Sequence, residues 1–459
     1  MQATRLFGLV PHDLRGIYYR IGPGKLTDGN KVLHPFDGQG RIDKLDISPT
    51  TGITIRSKFV KTAEYLEELK AGEILYRGSF GSKPKWWNPF DFNIKNTANT
   101  SLVFNNGELL ATWEGGLPHK LDPVSLKTQG LFDMGETAGA GQAFTTGHHS
   151  VDTFLGLGGH GVSAHPKTDP KTGRLVTYYT QVSFDSINIK VVEFEKDTWN
   201  PHKTTEFKMD GFTHCHDFTI TENYYIFFAA SLDYRYADFV LGKGPAECVR
   251  HLNKPTLVYF VPRNDSRKEI RTIEVEKCFV THFVNSFEYY NGIMITIDAM
   301  TCDHVQIDSF PLIKPQRFTF NMNVSRCVSN YCHHKNMTEF PAINSKYVGN
   351  ENRYFYASGS SSNDKVMDCI VKFDHCEGTY LSTMQHNSGT VKKMIFCTEP
   401  LFVEKKNAKY EDDGYLLFIA ITEDGNIFCI ANAKNMRIIC SYRVDGTNII
   451  GIHSLFVPV

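Results

Sequence analysis

The sequence predicts an all-β fold, and a propeller is the architecture its length favours. Three observations carry this reading. Apolar residues gather in short runs rich in β-branched and aromatic side chains, turn residues punctuate those runs, and no linker divides the chain. YYIFFAASL (224–232), PTLVYFVP (255–262), GIMITIDAM (292–300), YLLFIAIT (415–422) and NIFCIANA (426–433) are such runs, each bounded by Gly, Asn, Asp or Pro. Asn-Gly at 106–107 and 291–292, and Asp-Gly at 413–414, 424–425 and 445–446, suit two-residue hairpin turns, whose central residues need positive φ. One segment reads as a helix, 62–72, with Thr62 as its cap and Gly72 as its stop. No Ser/Gly/Pro-rich stretch or charge block interrupts the pattern, so a single domain over 1–459 is the economical reading. Regular short strands fit a sandwich, a barrel or a propeller. Spread over seven blades, the chain allows about 65 residues each, enough for four strands and their loops.

Composition bounds the function. With 41% apolar residues the chain can bury a large core, and 13% aromatic residues fit both pleated sheets and an apolar tunnel. A formal net charge of −1 gives no electrostatic footprint for nucleic acid. The 11 cysteines, between Cys215 and Cys440, lack zinc-ribbon spacing and read as free thiols in a reducing compartment, so a cytoplasmic location is expected. No signal-peptide pattern opens the sequence, and no apolar run is long enough to span a bilayer. The sequons at Asn323 and Asn336 then read as chance matches.

Chemistry rests on four histidines. His165, His216, His282 and His453 are separated by 51, 66 and 171 residues. The first two intervals are near one blade length, so inner strands of different blades would bring these rings to one axis. Spacing alone leaves ordinary surface or core roles open.

At these positions the chain resembles the carotenoid cleavage oxygenases over nearly its whole length. LVPHDLRGIYYRIGPG (9–24), HPFDGQGRI (34–42), KNTANTSLVFNNGELLATWEGGLPHKLDP (95–123), SAHPKTDPKTG, HDFTITENY, HFVNSFE, EFPAIN and TEPLFV occur in the family's order. The resemblance implies a seven-bladed propeller, with a helical and loop cap over one axial Fe(2+) per chain. His165, His216, His282 and His453 would be the ligands. Glu114 would hold His216, Glu339 would hold His282 and Glu399 would hold His453, because a carboxylate fixes the tautomer of a ligating imidazole. Two departures stand out. Thr281 precedes His282 where the family usually has a second histidine, and Ser454 follows His453 where glycine is usual.

The implied reaction is cleavage of a conjugated C=C bond of a carotenoid or apocarotenoid by O₂, giving two carbonyl products. Stilbenoid cleavage, a retinyl-ester isomerohydrolase and a non-catalytic propeller scaffold are the alternatives. Thr100 aligns with a residue that crowds an open coordination position, and Trp113 resembles carotenoid-cleaving members rather than stilbene-cleaving ones, which carry lysine. Phe80, Trp86, Trp87, Phe90 and Phe92 are candidates for a tunnel mouth or a peripheral membrane contact, with ordinary packing as the competing role. His214, His333 and His334 fall off the motif positions and read as ordinary histidines; Glu288 is open between an ion pair and site support.

Overall fold

The computed structural model describes residues 1–25, 27–28, 31–32, 34–80, 94–134, 161–182, 186–241, 243–264, 269–305, 311–362, 366–383, 394–447 and 451–459. Seven antiparallel sheets form the blades of a propeller. Blade 1 draws on both ends of the described chain. His453–Pro458 is its innermost strand, followed outward by Gly16–Lys25, Gln39–Ser48 and Gly52–Phe59. Blade 2 runs from Ser101–Asn105 to Thr128–Leu131. Blade 3 runs from two short strands, Gly161–Val162 and Lys167–Thr168, which both pair with Leu175–Val182, to Pro201–Asp210, and blade 4 from Thr219–Ile220 to Arg271–Val275. Blade 5 runs from Phe279–Tyr289 to Arg326–Cys332, and blade 6 from Thr338–Ala342 to Thr379–Ser382. Blade 7 begins with Met394–Cys397 and Leu401–Glu404 and ends on Thr4–Phe7, which pairs with Ile438–Arg443. The ring is therefore closed twice, once at an inner strand and once at an outer one.

The apolar runs are continuous rather than alternating because each strand is buried on both faces. Successive side chains of a strand point to opposite sides. In blade 7, Tyr415, Leu417 and Ile419 pack against blade 1, while Leu416, Phe418 and Ala420 pack towards blade 6. In blade 4, Tyr224, Ile226 and Phe228 face blade 5, and Tyr225, Phe227 and Ala229 face blade 3. Seven such clusters fill the seven interfaces between neighbouring blades.

The helix spans Ala63–Ala71, with the Thr62 hydroxyl accepting from Tyr65 N–H and Gly72 at φ +73°. The turn dipeptides divide. Asn106-Gly107 closes a two-residue hairpin, since Asn105 pairs with Glu108. Asn291-Gly292 lies in a four-residue loop between Tyr289 and Met294. At 424–425 the turn is Glu423-Asp424, because Gly425 already pairs with Thr422; Gly414 likewise begins a strand, and Gly446 leads out of blade 7. The expected two-residue turn is thus found at 106–107 and corrected at the other four dipeptides.

Buried amides and charges lock the blades. Asn99 Nδ2 donates to the carbonyls of Phe36 and Gly38 at 2.8 Å each, and Asp37 accepts from Ser79 N–H at 2.7 Å. Gly40 lies so close to this junction that a Cβ would sit 2.0 Å from the Ala98 carbonyl oxygen. Between blades 3 and 4, buried Arg263 donates to Glu193 and Asp169 at 2.6 Å each. Removing that guanidinium takes the closest counter-charge from two buried carboxylates, leaving Glu193 with the Tyr225 hydroxyl and Asp169 with the Lys171 N–H. Arg263→Met is expected to cost about 3–5 kcal/mol, measured as the shift in urea denaturation.

Buried imidazoles set an acid limit. Burial pushes both His119 and His375 down to about 4, the latter against the opposing pull of Asp298. The unfolded chain takes up these protons near the ordinary histidine value of about 6.5, and the folded chain does so only near 4. Between those values the unfolded state binds more protons, so stability falls as pH falls. Urea midpoints are expected to drop steadily from pH 7 towards pH 4.5, and His375→Phe should make that slope shallower.

Candidate metal centre

Every blade contributes one side chain to the centre, six of them from or beside the inner strand and that of blade 2 from just after its second strand. In blades 3 and 7 the inner strand is interrupted, and the break carries the functional side chain. His165 lies between Gly161–Val162 and Lys167–Thr168, and Glu399 lies between Met394–Cys397 and Leu401–Glu404. His216 precedes Thr219–Ile220 of blade 4, His282 lies on Phe279–Tyr289 of blade 5, and His453 opens the inner strand of blade 1. Glu114 follows Glu108–Thr112 of blade 2, and Glu339 lies on Thr338–Ala342 of blade 6.

The four imidazoles meet. Nε2 of His216 is 3.1 Å from Nε2 of His165 and 3.3 Å from Nε2 of His282. The His453 ring centroid is 4.7 Å from that of His165 and 4.9 Å from that of His282. Ligand atoms of His165, His282 and His453 all lie within 4.8 Å of one another. Two nitrogens bound to one ion at about 2.1 Å and at right angles would be about 3 Å apart, so these separations fit ligands sharing one metal ion.

Each glutamate fixes one ring. His282 Nδ1 donates to Glu339 Oε2 at 2.8 Å, His453 Nδ1 donates to Glu399 Oε1 at 2.9 Å, and His216 Nδ1 contacts Glu114 Oε1. With the proton on Nδ1, the lone pair of each ring sits on Nε2 and points at the common centre. Burial, then the neighbouring histidines, holds His165 well below the ordinary value; burial also lowers His282 against the pull of Glu339. At His216 burial is the largest single effect and acts downward, but the charge and contact of Glu114, joined by Asp217 and Glu339, together outweigh it and leave the group raised. Glu114 and Glu339 resist the upward push of burial because the facing histidines lower them more.

Other predicted residues have simpler surroundings. The Thr100 hydroxyl donates to Asn99 Oδ1 at 3.4 Å, and its N–H donates to Thr112 O at 3.2 Å. The Trp113 ring folds over Gly115, where a Cβ would come within 2.4 Å of it. Phe80 stacks on His34 at 5.0 Å and meets Phe36 edge-on at 5.2 Å, which is packing within the motif at 34–42. Trp86, Trp87, Phe90 and Phe92 lie outside the described residues. Glu288 accepts from Asn223 N–H and Nδ2, both at 2.8 Å, a structural role.

Sequence reasoning missed several neighbours of the centre. His214 Nε2 reaches Glu114 Oε2 at 3.1 Å, so it is not an ordinary surface histidine. The signal was there: residues i and i+2 of an extended segment share a face, and His214 stands two before His216. Thr281 donates to Glu339 Oε1, and Ser454 donates to Glu399 Oε2. Phe340, at φ +58°, places its ring 5.7 Å from both His282 and His453.

A second group, Asp298, His333 and His375, also gathers potential ligands. There Arg317 occupies both Asp298 oxygens, at 2.8 and 2.6 Å, and His333 Nε2 shares Oδ1 at 3.0 Å. A guanidinium already neutralises the only carboxylate of the three, so a cation gains little there.

Fold and site together define a seven-bladed propeller with a buried four-histidine, three-glutamate centre on its axis. The family profile described as Retinal pigment epithelial membrane protein matches residues 2–458, and the chain belongs to that family. It is 34% identical over 452 residues to apocarotenoid-15,15'-oxygenase of Synechocystis sp., covering 91% of this chain and 84% of that protein. It is 27% identical to carotenoid 9,10(9',10')-cleavage dioxygenase 1 of Pisum sativum, covering 94% and 81% respectively. The crystal structure of cobalt-substituted Synechocystis ACO superposes with a TM-score of 0.87 at 29% identity, covering 99% of this chain and 94% of that one.

His216→Ala is expected to abolish metal loading, and Glu339→Gln to weaken metal affinity about 10–100-fold, because an amide no longer enforces the Nδ1 proton. Metal content after dialysis, by elemental analysis, checks both.

Proposed function

We propose that this protein is a non-haem Fe(II) dioxygenase that cleaves a conjugated C=C bond of a carotenoid or apocarotenoid, using His165, His216, His282 and His453 to hold the ion. The observation that carries the reading is the convergence of four imidazoles, three of them turned by a glutamate so that Nε2 faces one point. Imidazole donors suit Fe(II), as they suit Zn, Cu and Ni, so the oxygenase relatives decide the choice of ion. When bound, the iron supplies activation of O₂ beside the double bond, and overall the two oxygen atoms end in two carbonyl products.

The chain supplies orientation and a dry environment. Glu114, Glu339 and Glu399 hold three rings in one tautomer without lending a negative ligand to the ion. Phe340 offers an apolar face beside His282 and His453, suited to a polyene. Trp113 adds an aromatic surface next to Glu114.

The test is turnover by protein prepared anaerobically with Fe(II). β-Apo-8′-carotenal, β-carotene and resveratrol are offered separately under ¹⁸O₂. Loss of the polyene chromophore with one labelled oxygen in each carbonyl product is expected. Cleavage of resveratrol alone would move the substrate to the stilbenoids, and retained iron with no turnover of any of the three would favour a binding scaffold.

A further inference from the structure

Each of the three glutamates has a second oxygen, and the structure fills all three from residues beside the histidine being held. Glu114 Oε2 meets His214, two residues before His216. Glu339 Oε1 accepts from the hydroxyl of Thr281, one residue before His282. Glu399 Oε2 accepts from Ser454, one residue after His453, through its N–H at 2.7 Å and its Oγ at 3.0 Å.

In a regular strand, adjacent side chains face opposite ways and could not reach one carboxylate. Thr281 does so because it is the extra residue of a β-bulge: Val280 pairs with Thr301 and His282 with Met300, leaving Thr281 without a partner in the ladder. A bulge re-aims a side chain in this way. Thr281 and Ser454 are also the two positions that depart from the motifs read in the sequence, and both departures place a hydroxyl on a glutamate.

We propose that Thr281 and Ser454 are positioning residues for the metal centre. Each hydroxyl fixes the plane of the carboxylate that orients its neighbouring imidazole, so each tunes the hold of His282 or His453 on the ion. This rests on the metal-binding reading above. The two contributions are unequal. Among the described residues Glu339 Oε1 is held by Thr281 alone, whereas Glu399 Oε2 keeps the Ser454 N–H when the hydroxyl is removed.

The experiment uses Co(II) as probe, with affinity from chelator competition and ligand geometry from the visible absorption of the loaded protein. Thr281→Val is expected to weaken Co(II) binding about tenfold, the low end of the range for residues behind a ligand, and to alter the visible spectrum. Thr281→Ser should restore both, and Ser454→Ala should produce a smaller loss. The double variant should combine the two losses, since they act on different ligands. Thermal melting of the metal-free proteins reports packing separately; Thr281→Ala replaces Thr281→Val if the latter fails to fold. Affinity within twofold of wild type and an unchanged spectrum in both hydroxyl-free variants overturn the proposal, as does failure of Thr281→Ser to rescue. Absence of Co(II) binding by the wild type would instead overturn the metal-binding reading itself.

Discussion

The centre depends on one pairing made three times: a glutamate oxygen set against Nδ1 of an imidazole, hydrogen-bonded at His282 and His453 and in close contact at His216. Each such pairing commits one nitrogen and turns the other, with its lone pair, inward. Without a cation the result is unfavourable, since the inward nitrogens of His216 and His282, each set against a glutamate on its other side, face one another at 3.3 Å. A shared ion converts that repulsion into coordination. The glutamates thus do more than steady the rings; they make the cluster a ligand set instead of a chain of imidazole hydrogen bonds.

A propeller suits this arrangement because every blade presents one inner edge to the same axis. Going round the ring from blade 1, the contributions are His453, Glu114, His165, His216, His282, Glu339 and Glu399. Neighbouring or next-but-one blades supply each pair: Glu339 with His282, Glu399 with His453, Glu114 with His216. Only His165 lacks a glutamate. The ligand set is consequently complete only when the ring is closed, because His453 enters on the strand that seals blade 1. Metal binding at this cluster would therefore be coupled to closure of the ring through that strand, free energy from one supporting the other.

This geometry explains which parts were legible in the sequence. Strands such as YYIFFAASL and YLLFIAIT were readable because burial on both faces makes continuous apolar runs, and Thr62 and Gly72 mark their helix by local chemistry alone. The hairpins were less legible: Glu423-Asp424 turns the chain where Asp424-Gly425 was expected, since pairing across the sheet decides which residues sit at the tip. The histidines could not be found from spacing, because separations between blades reflect loop lengths and not coordination geometry; resemblance brought them together. His214 and Thr281 escaped for a related reason. Their roles depend on a carboxylate from another blade, and for Thr281 also on a bulge that no composition rule reveals.

The placement of charge has a consequence for chemistry. Four neutral imidazoles would leave an ion's 2+ charge uncompensated at its ligands, while three carboxylates stand one contact further out, Glu339 and Glu399 with donors on both oxygens and Glu114 between His214 and His216. Compensation at that distance stabilises the buried cation without placing an anion in its coordination sphere. The remaining face of the ion can then border apolar surface, which here includes the Phe340 ring beside His282 and His453. A carboxylate ligand in place of an imidazole would bring polar, hydrated character to that face and disfavour an apolar polyene. Keeping the negative charge behind the histidines would reconcile a buried dication with the uncharged polyene of the proposed reaction.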